Sequence, residues 1–422
     1  MTARARSSRN TVSRPLLGRS HTKRALVNVG GRVETAGDPS LSVSLAEALA
    51  VRAGERDATL THPFHAYPAR LHPEVARRLL GVVCDGPGQR VLDPFCGSGT
   101  VLVEALAAGH EALGRDLSPF AVELARLKTA RPSGAAVRAM VSAARGAAAR
   151  AGAHRRTGPI PAQFVSERGW FLPHTFYELV ALSAEVAAAP EGFVRHALRM
   201  LLSSILVKVS LQASDADPRR VQKHIAPGEA LRLFAWKARE LEVCMKALRA
   251  AVPSEARVEV AVDDAQRLET VAAGTVDAVV TSPPYANTYD YAAHHARRYA
   301  WLGLDPGAML SQEIGAARWF AHDPEAGAAR FADELGALCG ALGRVMTPTG
   351  RAAVVIADGA AGPRALRADE MLAEAAGGVG LRVLGRASQE RAAYDRDSVE
   401  AFAQRAKREH VLVLGRAAPV VG

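Results

Sequence analysis

The stretch VLDPFCGSGT, residues 91–100, decides the fold. Its first three residues predict a short buried strand, and Gly97 and Gly99 predict a turn that leads into a helix over about 100–108. EALGRD then predicts a second strand ending at Asp116, which completes a strand–turn–helix–strand unit. Further strand patterns follow, several of them separated by helices: VEVAV (258–262), DAVVTS (277–282), RAAVVIAD (351–358), LRVLGRA (381–387) and HVLVLGR (410–416). This alternation predicts an α/β fold with a doubly wound, mostly parallel sheet.

The chain is predicted to divide into four parts. Residues 1–40 form a flexible basic arm, because seven of the first 24 residues are Arg or Lys and none is acidic. Residues 60–130 form the first part of the sheet domain, 131–255 a basic linker and a helical insertion, and 256–417 the second part of the domain. The arm contacts phosphates or has no function. It matches an organelle transit peptide less well, because its arginines form no apolar face.

The composition excludes several classes of protein. With 422 residues, 49% of them hydrophobic, the chain can bury a large core, but no apolar run approaches the ~18 residues of a membrane span. Four widely spaced cysteines predict neither a disulfide framework nor a zinc knuckle, and they favour a reducing, cytoplasmic setting. The net charge of +10 falls to +3 without the first 24 residues, so charge alone does not distinguish a nucleic-acid binder from an ordinary protein.

The glycine-rich turn predicts a nucleotide site. Glycines let the backbone approach a ligand closely at the start of a helix, and Asp116, nineteen residues after Gly97, is placed to accept hydrogen bonds from ribose hydroxyls. Asp93 at the strand tip repels phosphate and suits a sulfonium or ammonium cation, so S-adenosylmethionine fits better than NAD. The alternative is a tight turn followed by a solvated aspartate.

A second motif, TSPPY, stands at the end of the strand predicted at 277–282. Pro283 and Pro284 stop the strand and fix the backbone, so that carbonyl groups project from the carboxyl edge of the sheet, where ligands bind. Methylation of a planar exocyclic amine uses a rigid pair of hydrogen-bond acceptors beside an aromatic ring. The TSPPY segment would form such an amine-binding corner. The Ser282 hydroxyl and the Pro283 carbonyl accept the amino hydrogens and stabilise the developing positive charge, and Tyr285 stacks on the base. The alternative is a strand stop with a core tyrosine.

Together the two motifs resemble those of the amino-methylating DNA methyltransferases, which use S-adenosylmethionine and act on cytosine N4 or adenine N6. The similar stretches are DPFCGSGT (93–100), GRDLSP (114–119), TSPPY (281–285), HAYPARLHPEVARRLL (65–80), VDDAQRL (262–268) and KREHVLVL (407–414). The resemblance implies a Rossmann-like methyltransferase sheet with a helical insertion, in which 65–80 closes over the methionine end of the cofactor. It implies the catalytic residues Ser282, Pro283, Pro284 and Tyr285, and the cofactor-binding residues Asp93, Pro94, Phe95, Gly97, Gly99, Thr100, Asp116 and Asp264.

The resemblance also implies a substrate, a base flipped out of double-stranded DNA. Serine as the first residue of the tetrapeptide is more usual for cytosine N4 than for adenine N6, which favours N4-cytosine. An RNA methyltransferase acting on guanosine N2 and a nucleic-acid-binding regulator with a degenerate fold stay as alternatives, and a companion restriction endonuclease stays open. Many SPPY enzymes carry the two motifs in the reverse order, so the region that reads the target is not located.

Four residues outside the motifs are candidates for substrate contacts. Arg219 and Arg220, in a polar break at 210–224, are placed to bind phosphates, unless the break is a solvated loop. Tyr289 and Asp290 are placed to line a base pocket, unless they only pack. No metal is predicted, because the histidines form no HxH or HxxxH pair. No covalent mechanism is predicted either, because no Pro-Cys pair occurs.

Overall fold

The computed structural model describes residues 32–51, 58–154, 160–393 and 396–416. These residues form twelve strands: β1 (Val33–Gly37), β2 (Arg90–Asp93), β3 (Glu111–Asp116), β4 (Gln212–Ser214), β5 (Asp217–Arg220), β6 (Val258–Val262), β7 (Val276–Thr281), β8 (Met346–Ala357), β9 (Gly359–Ala361), β10 (Arg364–Leu366), β11 (Leu381–Glu390) and β12 (Arg408–Arg416). Short 3-10 turns span Ala162–Phe164 and Arg168–Trp170.

The same residues form fifteen α-helices. They are α1 (Pro39–Leu49), α2 (Pro73–Val83), α3 (Thr100–Ala107), α4 (Pro119–Thr129), α5 (Gly134–His154), α6 (Pro173–Ala188), α7 (Phe193–Leu206), α8 (Glu229–Ala251), α9 (Tyr291–His294), α10 (Ala296–Leu302), α11 (Gly307–Gln312), α12 (Ala317–Phe320), α13 (Pro324–Val345), α14 (Ala368–Gly378) and α15 (Arg396–Ala401). None of the described helices is long and apolar enough to cross a membrane.

Eight strands form one sheet in the order β1-β11-β12-β8-β7-β2-β3-β6. Its five strands from β8 to β6 are parallel, whereas β12, β11 and β1 each pair antiparallel with their neighbours. Successive residues of the central strands are buried on opposite faces: Val279 packs with α13 and α14, and Ala278 packs with α2 and α3. The doubly wound α/β fold class predicted from the sequence is therefore confirmed.

The chain order of the strands locates the point where a ligand binds. From β2 the chain moves to β3 and later to β6, and it then returns to place β7 on the other side of β2. The winding of the sheet therefore reverses between β2 and β7. In open α/β sheets, ligands bind outside the carboxyl ends of the strands at such a reversal point. In this chain, those two strand ends carry Asp93 and Thr281.

The prediction that residues 1–40 form a flexible arm is wrong for residues 33–40. Val33–Gly37 forms β1, which pairs antiparallel with the edge strand β11 in a register that places Thr35 opposite Ala387. The Asp38 side chain caps α1 by accepting the backbone N–H of Ser40 at 2.8 Å. A sheet edge recruits a short strand through backbone hydrogen bonds, so no apolar alternation is needed. Residues 1–31 lie outside the described residues.

The region predicted as a linker and helical insertion, 131–255, contains α5 to α8 and one hairpin formed by β4 and β5. Buried side chains such as Phe176, Leu201 and Phe234 join these helices to α4 and α10 in one core. Trp301 of α10 stacks on Phe164, with ring centroids 4.3 Å apart. The helices are thus packed directly against elements that flank the two motifs.

Candidate active site

A cleft of about 830 Å³, part of it open to solvent, contains residues from both motifs. It lies at the reversal point between β2 and β7. Eight of the residues predicted for the site line it: Asp93, Phe95, Gly97, Thr100, Asp116, Asp264, Ser282 and Pro284. Eight others are not part of its lining: Pro94, Gly99, Pro283, Tyr285, Tyr289, Asp290, Arg219 and Arg220.

The turn after β2 requires its two glycines. Gly97 and Gly99 have φ values of +49° and +78°, which lie in the left-handed region. A Cβ on Gly97 would lie 3.2 Å from the Tyr67 ring, and one on Gly99 would lie 3.2 Å from Ala125. The Gly97 N–H donates to Asp116 Oδ2 at 2.8 Å, so β3 holds the turn in place.

Two carboxyl groups line the cleft at the ends of β2 and β3, where Asp93 is buried and Asp116 is half-buried. Asp93 Oδ1 accepts hydrogen bonds from Thr281 Oγ1 at 2.7 Å and from the Phe95 N–H at 3.1 Å. Burial is the main cause that raises the pKa of Asp93 to about 7 and the pKa of Asp116 to about 6. Because burial disfavours the charged form, a cation in the cleft would favour ionisation of both groups.

The two consecutive acids after β6 have different positions. Both oxygens of Asp263 are used within the loop: Oδ2 accepts from the Thr270 N–H and hydroxyl, and Oδ1 accepts from Asp264 N–H. Asp264 lines the cleft, and its Oδ1 accepts the Gln266 N–H at 2.9 Å. Asp264 is therefore the member of the pair that can contact a ligand.

The TSPPY segment contributes Ser282 and Pro284 to the cleft, and both are half-buried. The Tyr285 side chain is only 9% exposed and packs in the core beneath α13. Its hydroxyl donates to Glu409 Oε1 at 2.9 Å. The structure thus brings the serine and the second proline to the cleft but does not bring the Tyr285 ring there, where the sequence predicts it to stack on a base.

Tyr289 and Asp290 lie at the start of α9, beside the cleft rather than in its lining. Asp290 caps α9 by accepting the Ala293 N–H at 3.0 Å, and it pairs with Arg318 at 2.9 Å. The Tyr289 ring contacts Tyr291, with centroids 5.5 Å apart. Of these aromatic residues, it is Tyr291 that lines the cleft.

Arg219 and Arg220 lie on β5 of the β4–β5 hairpin. Both are exposed, and Arg219 pairs with Asp217 at 2.7 Å. The hairpin tip is held against the helices that follow the TSPPY segment, because Asp215 forms an ion pair with Arg298 and the Ala216 carbonyl lies 3.3 Å from His294 Nε2. The hairpin therefore carries two exposed arginines next to the cleft.

Several residues of the cleft were not singled out individually by the sequence. Tyr67, Arg70 and Leu71 lie in the segment that the resemblance places over the cofactor, so only their individual positions are new. Another wall comes from the connection after α10: Met309, Gln312, Glu313 and Ile314. Glu313 is 3% exposed and accepts the Tyr291 N–H at 2.7 Å, and burial raises its pKa. No motif marks it, because it directly follows the short helix α11, 28 residues after Tyr285.

A cluster of possible metal ligands lies away from the cleft lining. The ligand atoms of Asp358, Asp369 and His410 lie within 4.8 Å of one another, and all three residues are buried. Arg367 donates to Asp358 at 3.0 Å, and Arg386 donates to Asp369. These guanidinium groups already balance the two carboxylates. The absence of a metal stays a prediction.

One family model and two curated proteins match parts of this chain. A model of the family UPF0020, RMKL-like, methyltransferase domain, matches residues 61–156. The type II methyltransferase M.MvaI of Kocuria varians is 39% identical over 72 residues, which are 17% of this chain and 16% of that protein. A tRNA (guanine(10)-N2)-dimethyltransferase of Methanothermobacter thermautotrophicus is 39% identical over 57 residues, which are 14% of this chain and 17% of that protein.

The chain thus covers about a sixth of the length of these two curated relatives. Among solved structures, the rRNA methyltransferase aviRa of Streptomyces viridochromogenes is 14% identical, with a TM-score of 0.34 over 87% of this chain and 94% of its own.

S-adenosylmethionine, the cofactor predicted from the sequence, agrees with the methyltransferase domain match over 61–156 and fits the residues of the cleft. The lining contains four acidic side chains, Asp93, Asp116, Asp264 and Glu313, and one basic side chain, Arg70. This balance suits a cation and opposes the phosphates of a dinucleotide. The tight approach of the backbone at Gly97 also matches a nucleoside ligand.

Proposed function

We propose that this protein transfers a methyl group from S-adenosylmethionine to an exocyclic amine of a nucleic-acid base, with cytosine N4 in double-stranded DNA as the favoured target. One observation carries the proposal: the acidic tip of β2 and the TSPPY segment after β7 lie in a single cleft, joined by the hydrogen bond from Thr281 to Asp93. A cofactor site and an amine-binding corner are thus adjacent, as a direct transfer requires.

The proposed cofactor contacts come from three strand ends. Asp264 binds the adenine amino group, Asp116 accepts from the ribose hydroxyls with the lone pairs that Gly97 and Ser118 do not use, and Asp93 lies toward the cationic end. When bound, S-adenosylmethionine supplies an electrophilic methyl group on a sulfonium. The turn residues and the 67–71 segment exclude water around it.

The proposed work of the TSPPY segment is positioning and charge stabilisation. The Ser282 hydroxyl and the Pro283 carbonyl accept the hydrogens of the target amine and hold its lone pair out of conjugation with the ring. Positive charge that develops on the nitrogen is stabilised by the same two oxygens. No strong base is required, because the alkylated nitrogen is acidic and loses its proton to water. Tyr291, which lines the cleft, is better placed than Tyr285 to contact the base.

The proposed substrate surface includes the β4–β5 hairpin, whose exposed Arg219 and Arg220 suit phosphate groups. Serine in the tetrapeptide favours cytosine N4 over adenine N6. A second candidate is guanosine N2 in RNA, because a matching relative is a tRNA (guanine(10)-N2)-dimethyltransferase. Both targets present a planar amine that the same corner can hold.

Incubation of the purified protein with tritiated S-adenosylmethionine and either duplex DNA or tRNA tests the proposal, followed by mass spectrometry of the digested nucleosides. We expect N4-methylcytosine from DNA. N2-methylguanosine from tRNA would select the second candidate, and N6-methyladenine would keep the enzyme class but change the base. Ser282→Ala should abolish transfer while the exposed Ser142→Ala on α5 leaves it unchanged. The absence of methylation on both polymers would overturn the proposal.

A further inference from the structure

The buried hydroxyl of Tyr285 has a specific partner on a distant part of the chain. It donates to Glu409 Oε1 at 2.9 Å across 124 residues of sequence. Tyr285 is 9% exposed and Glu409 is 2% exposed, so the bond is shielded from water. Glu409 lies on β12 opposite Ala357 of β8, which is the strand beside β7. The bond therefore attaches the segment after β7 to β12, which lies two strands away from β7 in the sheet.

Glu409 is itself held by a charged partner. Its second oxygen, Oε2, accepts from Arg391 Nε at 3.2 Å and also from Arg391 Nη2. Arg391 Nη1 in turn donates to Gln389 Oε1 at 2.6 Å. Burying a carboxylate without such a partner is costly. The carboxylate is thus oriented from one side by Arg391 and can accept the tyrosine hydroxyl with the other oxygen.

The TSPPY segment, 281–285, is fixed at both ends by side chains. At its start, Thr281 Oγ1 is bonded to Asp93 at 2.7 Å, and four residues later Tyr285 is bonded to Glu409. Between them, Pro283 and Pro284 each have a fixed φ and no N–H. Few dihedral angles remain free, so fixing the two ends also fixes the orientation of Ser282.

We infer that Glu409 is a positioning residue for methyl transfer: through the Tyr285 hydroxyl it holds the TSPPY segment so that Ser282 and the Pro283 carbonyl face the target amine. The inference rests on the proposed function. Glu409 is not part of the cleft lining, and its effect passes through Tyr285. The hydroxyl of Tyr285 therefore stabilises the conformation of the TSPPY segment. The sequence predicts instead that the Tyr285 ring stacks on the base.

The backbone beyond Tyr285 has further support, so the loss of this one bond should shift the segment without unfolding it. A Cβ on Gly359 would lie 2.6 Å from the Ala286 carbonyl oxygen, which shows how closely β9 packs on the segment. Asn287 Nδ2 also donates to the Ala360 carbonyl at 2.9 Å. Variants at Tyr285 and Glu409 are therefore suitable for kinetic measurement.

The test compares Tyr285→Phe, Glu409→Gln and the double variant with the wild-type protein, using S-adenosylmethionine and duplex DNA, or tRNA if that polymer is the one methylated. We expect kcat to fall by about ten- to a hundredfold in each single variant, because a misplaced reacting group costs about this much. The Kd of S-adenosylmethionine should stay within about twofold, and the double variant should be no slower than the slower single variant, because both remove one interaction.

A second measurement does not depend on activity. Hydrogen–deuterium exchange of the peptide that contains Tyr285, Ala286 and Asn287 should become faster in Glu409→Gln, while the peptide over 91–100 should not change. Glu390→Gln is the matched control, because this glutamate lies on the neighbouring strand β11, is exposed, and pairs with Arg408 at 3.8 Å.

The outcomes separate the two proposals. An inactive wild-type protein refutes the proposed function and with it the role in methyl transfer, and the exchange measurement then decides whether Glu409 still holds the segment. An active wild-type protein with variants of unchanged kcat overturns the role of Glu409, whether or not exchange changes. So do losses in kcat that multiply in the double variant, since they would mean that the two side chains act separately.

Discussion

Thr281 donates a 2.7 Å hydrogen bond from Oγ1 to Oδ1 of Asp93, and both side chains are almost completely buried. The bond joins the carboxyl ends of β7 and β2, the two strands between which the winding of the sheet reverses. Because one strand end leads to the TSPPY segment and the other to the glycine-rich turn, this pair couples the two halves of the site.

Replacement of Thr281 by Val tests that coupling. The variant keeps the side-chain shape but leaves a buried carboxyl oxygen with one partner fewer, which costs about 1–3 kcal/mol of unfolding free energy. We expect weaker binding of S-adenosylmethionine, by about tenfold, and a lower kcat. Calorimetric titration and thermal melting measure the two effects. Thr349→Val at an exposed position of β8 is the control, and a Thr281→Val protein with wild-type affinity would contradict the coupling.

Binding of the cofactor should depend on pH through Asp93. Burial raises the pKa of this carboxyl to about 7 in the folded protein, so it is mostly neutral at pH 6 and mostly ionised at pH 8. Its contribution to the unfolding free energy falls as the pH rises from the unfolded pKa of about 4 toward 7. A cation bound nearby offsets that loss of unfolding free energy. The affinity of the protein for the cation should therefore rise with pH as Asp93 becomes ionised.

We therefore expect the affinity for S-adenosylmethionine to increase by up to about tenfold between pH 6 and pH 8. S-adenosylhomocysteine, whose sulfur is uncharged, should show a smaller change. In Asp93→Asn the difference between the two ligands should disappear. Titration of both ligands at four pH values measures this, and equal pH profiles for the two ligands in the wild-type protein would show that Asp93 does not act on the sulfonium.

Gly97→Ala should damage the site more than its backbone conformation alone explains. The new Cβ would lie 3.2 Å from the Tyr67 ring, and φ is +49°. Gly88→Ala is a matched control, because Gly88 has φ of +75° but open space around a Cβ. Each variant should lose about 1 kcal/mol of unfolding free energy through the left-handed backbone. Only Gly97→Ala should also lower cofactor affinity, by about tenfold or more; similar affinities in both variants would exclude the Tyr67 contact as the cause.

The sequence predicts which residues lie at the carboxyl ends of the strands. It does not predict the side chains with which those residues form hydrogen bonds. The alternation of strands and helices predicts β2, β3, β6 and β7 within about two residues of the bounds observed. Asp93, Asp116 and Asp264 reach one cleft because parallel strands present their carboxyl ends at one edge. That rule needs only the order of the elements, so the acidic character of the cleft follows from sequence.

The misses have a common physical origin in contacts between distant segments. Tyr285 looks like a stacking residue in the motif, but its environment is set by Glu409 on a strand 124 residues away. Glu313 reaches the cleft from the end of the short helix α11, whose position follows from packing rather than from a periodic pattern. β1 forms through backbone pairing at the sheet edge, which leaves almost no trace in side-chain identity.

The β4–β5 hairpin provides the last prediction, which concerns nucleic-acid binding. Its tip is anchored to α10 by the Asp215–Arg298 ion pair, so the two exposed arginines of β5 lie next to the cleft. Arg219 is already paired with Asp217, which makes Arg220 the better test. If Arg220 contacts a phosphate, Arg220→Gln should weaken binding of duplex DNA and tRNA similarly across sequences. It should also reduce the slope of log K against log salt concentration by about 1.

Arg257→Gln is the matched control, because it also removes one positive charge from an exposed position. Arg257 lies just before β6, the strand at one end of the eight-stranded sheet. Its binding slope should equal that of the wild-type protein, since it lies at the amino ends of the parallel strands, away from the cleft. Fluorescence anisotropy with labelled oligonucleotides at several salt concentrations measures both variants. Equal slopes for Arg220→Gln and Arg257→Gln would mean that Arg220 adds only to the general charge and that the phosphate backbone follows another path to the cleft.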